Sequence, residues 1–209
     1  MKVLFYGDSI TDAGRNYDLL HGEEAMGHGY VKYAVEGLKE RGFADEDLIN
    51  RGISGNRIVD LYARIKVDCW NHQPDVLSIL IGVNDVWHEI SNKNGVELDR
   101  FEKMYRILIE DTKKALPNLK ILLCEPFVLK GEATADRFDR FVEVYKYAEA
   151  VKRLAKEYDL YFLPLQETLS KVAEGNEADY LKDGVHPAEK GAKLIAEKWL
   201  EVFDEQIEK

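Results

Sequence analysis

Val3-Leu4-Phe5-Tyr6-Gly7-Asp8-Ser9-Ile10-Thr11 reads as a short strand running directly into a polar turn. Four apolar residues without polar alternation suit a strand covered on both faces. The pattern recurs at Asp47–Asn50, Val76–Ile81, Lys120–Cys124 and Tyr161–Pro164. Between these runs lie long amphipathic stretches, which predict helices over Tyr30–Arg41, Arg57–Cys69, Asp99–Leu116, Phe138–Tyr158 and Pro187–Ile207. In Phe101, Met104, Tyr105, Leu108 and Ile109 the apolar residues recur at steps of three and four, one buried stripe. Gly42 and Pro117 mark helix ends. Strands alternating with helices imply parallel pairing through right-handed crossovers. The expected fold is α/β, a three-layer α/β/α sandwich of about five parallel strands, in one domain spanning residues 1–209. Glu89–Gly95 and Lys130–Asp136 have the composition of loops.

The 209 residues include 39 acidic and 29 basic ones, a net charge of −10. That excess disfavours partners with a phosphate backbone, so no nucleic acid is expected. A chain of this length buries ~70% of its unfolded surface and needs no covalent staples. Cys69 and Cys124 lack paired spacing and read as structural thiols of a reducing compartment. No run approaches the ~20 apolar residues of a membrane span. Only four apolar residues precede Gly7, too few for a secretory signal. The expectation is a soluble cytoplasmic protein with no membrane partner, its oligomeric state left open.

In such sheets, sites form outside the carboxyl ends of the strands. Asp8-Ser9, Gly52–Asn56, Gly82–Asp85 and Glu125–Phe127 follow strands one to four, and Asp183–His186 precedes the last helix. Ser9 would need a base to become a nucleophile. Alone it reads as a helix cap, and Thr11 stands where a Gly-x-Ser-x-Gly elbow has its second glycine. Asp183 and His186, three residues apart on one turn, can pair and leave the second ring nitrogen for Ser9. The competing reading is an ordinary surface turn. Gly55 offers an unhindered N–H and Asn84 a side-chain amide to a developing oxyanion, although either could be a plain loop residue. Trp87, three residues past Asn84, either borders this site or packs. Phe127 has the same two readings, with packing favoured. Asp8 and Asp12 suit hydrogen bonds to loop backbone, and Arg57 suits a salt bridge. His21, His28, His72 and His88 pair with no carboxylate or cysteine at metal-ligand spacing, so neither a metal nor another cofactor is expected.

The four blocks in this order resemble the SGNH hydrolases, also called the GDSL esterase/lipase family. Gly7-Asp8-Ser9-Ile10-Thr11 looks like its nucleophile motif, with isoleucine for leucine. Gly55, Gly82–Asp85 and Asp183–His186 match its remaining blocks. The resemblance implies a flavodoxin-like fold, with Ser9 as nucleophile, His186 as base and acid, and Asp183 as orienter. It implies an oxyanion hole made of Ser9, Gly55 and Asn84. Asp12-x-Gly14-Arg15, Gly27-x-Gly29-Tyr30, Asn50–Asn56 and Asn84–Trp87 are similar to the bacterial acetyl-xylan esterases of this family. The implied function is a serine esterase that removes small acyl groups, acetyl first, from a small-molecule or oligosaccharide ester. A lysophospholipase or thioesterase of the same family is the alternative. A non-catalytic flavodoxin-like ligand-binding module is the alternative of another class, disfavoured by Asp8 and Asp12, which would repel a phosphate.

Overall fold

All five apolar runs become strands of one parallel sheet in this computed structural model, which describes residues 1–208. They are β1 (Val3–Gly7), β2 (Leu48–Gly52), β3 (Val76–Leu80), β4 (Lys120–Cys124) and β5 (Tyr161–Leu163), in the order β2-β1-β3-β4-β5. Val3 stands opposite Leu48 on one side and Val76 on the other. Every residue of β1 is buried, as its unbroken apolar run requires. Side chains alternate between the two faces. Tyr6 donates its hydroxyl to Leu61 O at 2.7 Å below the sheet. Phe5 points the other way, 6.1 Å from the Tyr30 ring and 4.9 Å from the Trp199 ring. Buried Trp199 also donates its Nε1–H to the Ser78 hydroxyl on β3 at 2.9 Å.

Among the described residues the helices are α1 (Ser9–Asp12), α2 (Glu23–Met26), α3 (Tyr30–Glu40), α4 (Ile58–Asp68), α5 (Val83–Asn92), α6 (Leu98–Ala115), α7 (Phe138–Phe141), α8 (Val144–Glu157), α9 (Gln166–Ala173), α10 (Glu177–Tyr180) and α11 (Glu189–Val202). α3 and α11 pack together on the Phe5 face, and α4, α6 and α8 pack in series on the other. The result is the expected three-layer α/β/α sandwich.

Three expectations need correction. The segment expected as one helix, Phe138–Tyr158, is two, because α7 stops at Phe141 and a turn closes through the Val142 N–H to Phe138 O. Phe141 is pinned edge-on to Trp87 while Val144, Tyr147 and Val151 of α8 are buried, so the two pieces serve different neighbours. The stretch Glu89–Gly95, expected as loop, is helical to Asn92, since buried Val86 and Ile90 anchor α5. Pro187 does not start the last helix. It pairs with Leu181 in an isolated β-bridge, α11 begins at Glu189, and a π-helical turn over Phe203–Ile207 completes the segment.

Candidate active site

The chain leaves β1 toward β2 and returns to β3 on the opposite flank of β1. Connections after β1 and β3 therefore diverge to opposite faces, and a crevice opens between them at the carboxyl ends. Ser9 immediately follows the β1 turn, and Asn84 lies in the first turn of α5 after β3.

Asp8, not Ser9, caps α1. Its Oδ1 accepts the Ile10 N–H at 3.0 Å. This leaves the Ser9 hydroxyl free, and Ser9 Oγ lies 2.8 Å from His186 Nε2. On the far side of the ring, His186 Nδ1 lies 2.7 Å from Asp183 Oδ2. A proton on Nδ1 would make Nε2 the acceptor for the Ser9 hydroxyl, the tautomer that serves a base. Asp183 Oδ1 accepts the Val185 N–H at 3.0 Å and the His186 N–H at 2.8 Å, so one carboxylate fixes both the turn and the ring. Gly184 in this turn has φ +97°, and a Cβ there would collide with Thr134 Oγ1. The stretch Lys130–Asp136 that reads as a loop is the buttress of the turn. Leu129 N–H donates to Gly184 O and Ala133 N–H to Asp183 O, at 2.8 and 3.0 Å. Fully buried Thr134 ties that stretch together through Leu129 O and Gly131 N–H.

The electrostatics follow from these contacts. Burial pushes the Asp183 carboxyl up, but the His186 ring and the two backbone N–H groups outweigh it and hold it at about 2. The hydrogen bond that His186 donates to Asp183 raises His186 above the ordinary imidazole range, against the pull of burial. Burial drives Asp8 up to about 7. The relay can hold a proton on the imidazole while the serine oxygen bonds to carbon.

The candidate oxyanion donors sit on three cross-tied loops. Gly55 has φ +80°, a conformation that any Cβ would strain. Asn84 Nδ2 donates to Asn56 O at 3.1 Å, and Asp85 accepts the Ile58 N–H, so the β3 block holds the loop carrying Gly55. Asp12 accepts both the N–H and the hydroxyl of Ser54, at 2.9 and 2.6 Å. Buried Asn50 donates to Thr11 O and Met26 O and accepts the Gly52 N–H, fixing the β1 turn from β2. The Ser9 and Gly55 N–H groups have no hydrogen-bond acceptor among the described residues.

Ser9, Gly55, Asn84, Trp87 and His186 border one cavity of about 460 Å³. Trp87 is half-buried, its ring 5.9 Å from the His186 ring and 5.5 Å from Phe141, so it both packs and faces the site. Phe127 does not reach it: its side chain is fully buried in the core. Arg57 pairs with Asp60 and donates to Asn94 O, a structural engagement. Among the described residues no group of three His, Cys, Asp or Glu side chains could hold a metal ion. No helix among them is long and apolar enough to cross a membrane.

The model of the GDSL-like lipase/acylhydrolase family matches residues 5–194. The chain belongs to this family. An acetylxylan esterase of Geobacillus stearothermophilus is 35% identical to this GDSL-like chain, over 95% of the chain and 92% of the relative. Its crystal structure superposes with a TM-score of 0.82 at 34% identity, covering 96% and 93%. A structure assigned as a GDSL-like lipase from Parabacteroides merdae superposes at 0.88 with 38% identity, covering 97% and 94%. Variants of the Geobacillus esterase with a serine, an aspartate or a histidine replaced by alanine are described as its catalytic mutants. The chain is thus a carboxylic ester hydrolase of the SGNH type.

Sequence reading missed several residues that hold this GDSL-like site in place. Asn50 reads as a strand end and as the first residue of the Asn50–Asn56 block, with no role attached, and Thr134 reads as part of a loop. Their partners lie on other segments or, for Thr134, depend on a burial that no short motif reveals. His88 was visible only as a histidine without a metal partner. It borders the same cavity, and its signal was there: it lies four residues after Asn84, one helical turn on.

Proposed function

We propose that this protein removes acetyl groups from carbohydrate esters, with Ser9 as nucleophile, His186 as base and acid, and Asp183 as the group that orients and charges the imidazole. The observation that carries this is the unbroken path from Ser9 Oγ through His186 to Asp183, at 2.8 and 2.7 Å. Ser9 Oγ bonds to the ester carbonyl carbon and its proton passes to Nε2. The oxyanion so formed sits among the Ser9 and Gly55 N–H groups and the Asn84 amide, each donor contributing ~3 kcal/mol in the transition state. The carbon–oxygen bond to the alcohol then breaks, and Nε2 returns the proton to the departing sugar oxygen. Water repeats the sequence on the acyl-Ser9, releasing acetate and restoring the hydroxyl. The likeness to an acetylxylan esterase supports acetyl as the acyl group and a xylan-derived sugar as the alcohol.

The test is acetate release from acetylated xylo-oligosaccharides, run beside a series of p-nitrophenyl esters of increasing acyl length. An optimum at the acetyl ester is expected. An optimum at long chains would replace this reading with a lysophospholipase or thioesterase.

A further inference from the structure

One wall of the cavity at Ser9 is the side of a single helix. Asn84, Trp87, His88, Ser91 and Asn92 all lie on α5 and all border the cavity. Their spacing of i, i+3, i+4, i+7 and i+8 keeps them on one face. The opposite stripe, Val83, Val86 and Ile90, is buried in the protein. The cavity wall therefore extends from Asn84 over eight residues, ~12 Å of helix axis. The reacting ester needs only the first residue of that wall.

The remainder has unengaged hydrogen-bonding capacity. Asn84 donates to Asn56 O, whereas Trp87 and His88 are half-buried and Ser91 and Asn92 exposed, so their polar atoms are open to a ligand. Burial and the neighbouring Arg57 hold His88 below the ordinary imidazole range, so near neutral pH its ring offers one donor and one acceptor. A sugar ring has a C–H face and a hydroxyl edge. The flat rings of Trp87 and His88 suit the face, and the polar tips along the stripe suit the edge. A long acyl chain laid there would desolvate those tips without pairing them. The open cavity has room for a ligand larger than an acetyl group.

We infer that the His88–Asn92 turn of α5 is a binding subsite for the sugar unit next to the one that carries the ester, so that these side chains set the preference for a disaccharide over a single sugar. This inference rests on the esterase reading above and adds the length of the alcohol to it. His88 and Asn92 would hydrogen-bond the second ring, and Trp87 would lie between the two subsites.

The experiment compares kcat/KM for mono-acetylated xylobiose and mono-acetylated methyl xyloside in the wild type and in the double variant His88→Ala/Asn92→Ala. The wild type is expected to favour the disaccharide by tenfold or more. The double variant is expected to lose that preference to within threefold, through KM. No disaccharide preference in the wild type, or a preference unmoved in the variant, overturns the subsite. Ser9→Ala assayed on p-nitrophenyl acetate separates the two claims. Turnover retained in Ser9→Ala refutes the proposed mechanism itself, whereas Ser9-dependent turnover with an unmoved sugar ratio refutes the subsite alone. Circular-dichroism melts of the double variant establish that both side chains were removed from a folded protein.

Discussion

The two rims of the sheet are built from opposite chemistry. At the carboxyl ends of the strands, Asp8, Asp12, Asn50, Asn84, Asp85 and Thr134 are all buried; Asp12, Asn50, Asn84 and Asp85 bond to other segments, and Asp8 and Thr134 brace their own. At the amino ends the ties of Lys2 are exposed or half-buried. Lys2 donates its N–H to Asp75 Oδ2 at 2.7 Å and its ammonium to His72 O at 2.8 Å, and Asp75 is exposed. Burying a polar group costs about 1–3 kcal/mol unless it is satisfied. The active rim accepts that risk repeatedly, and in return its loops are fixed relative to one another. The amino rim only has to turn the chain around. Substitutions at the two rims should therefore differ in kind: those at the active rim change the rate, and those at the other change only stability.

The largest effect short of removing the nucleophile is expected at Asp183. Asp183→Asn keeps an oxygen for the turn but loses the charge that raises His186. The kcat of the variant on p-nitrophenyl acetate should fall by about 10⁴-fold. The pH profile carries a sign. In the wild type, His186 must be neutral to act as base, so kcat/KM should rise with pH through an apparent pKa above 6.5, the ordinary imidazole value. In Asp183→Asn the limb should move to lower pH, because the largest cause of the upward shift is gone. An unmoved limb would detach the acidic limb from this pair.

Asn84→Ala comes next, with a loss of about 10²–10³ in kcat and little change in KM. A rise in KM alone would make Asn84 a ground-state binder. Thr134→Val removes two hydrogen bonds that brace the Asp183 turn. It should cost ~2 kcal/mol and lower the Tm by ~4–8 °C. Its kcat should fall about tenfold through a misplaced His186. The smallest effect belongs to the other rim. Asp75→Ala should lower the Tm by ~2–4 °C, and a kcat/KM changed by more than about twofold would break the contrast between the rims.

The carboxyl-end rim was largely legible in the sequence, and the amino-end rim was not. The apolar runs gave the strands because burial on both faces leaves no alternation to misread. Ser9, Asp183 and His186 stood out because a nucleophile, a base and an orienter are scarce in combination. Gly55 and Asn84 followed from the same rim argument. What escaped was of two kinds. α2 and α10 have four residues each, too few to display a period. α5 carries no helix expectation at all, because Ser91, Asn92 and the residues after them have loop composition, while its burial rests on Val86 and Ile90. Phe127 followed a strand end in sequence yet turned inward, since position after a strand does not fix direction. Asn50 opens the Asn50–Asn56 block, but nothing in that block reveals its bracing role, because its partners Thr11 and Met26 lie 39 and 24 residues away.

The central claim is that one serine, at the end of β1, forms the bond to the acyl carbon. Reaction with a fluorophosphonate followed by intact-mass and peptide analysis tests it directly. The expected result is one adduct per chain, on Ser9, formed progressively more slowly as pH falls and His186 becomes protonated. Ser9→Ala should form none. An adduct on another residue, or a Ser9→Ala protein that labels and hydrolyses acetyl esters at the wild-type rate, would contradict the account.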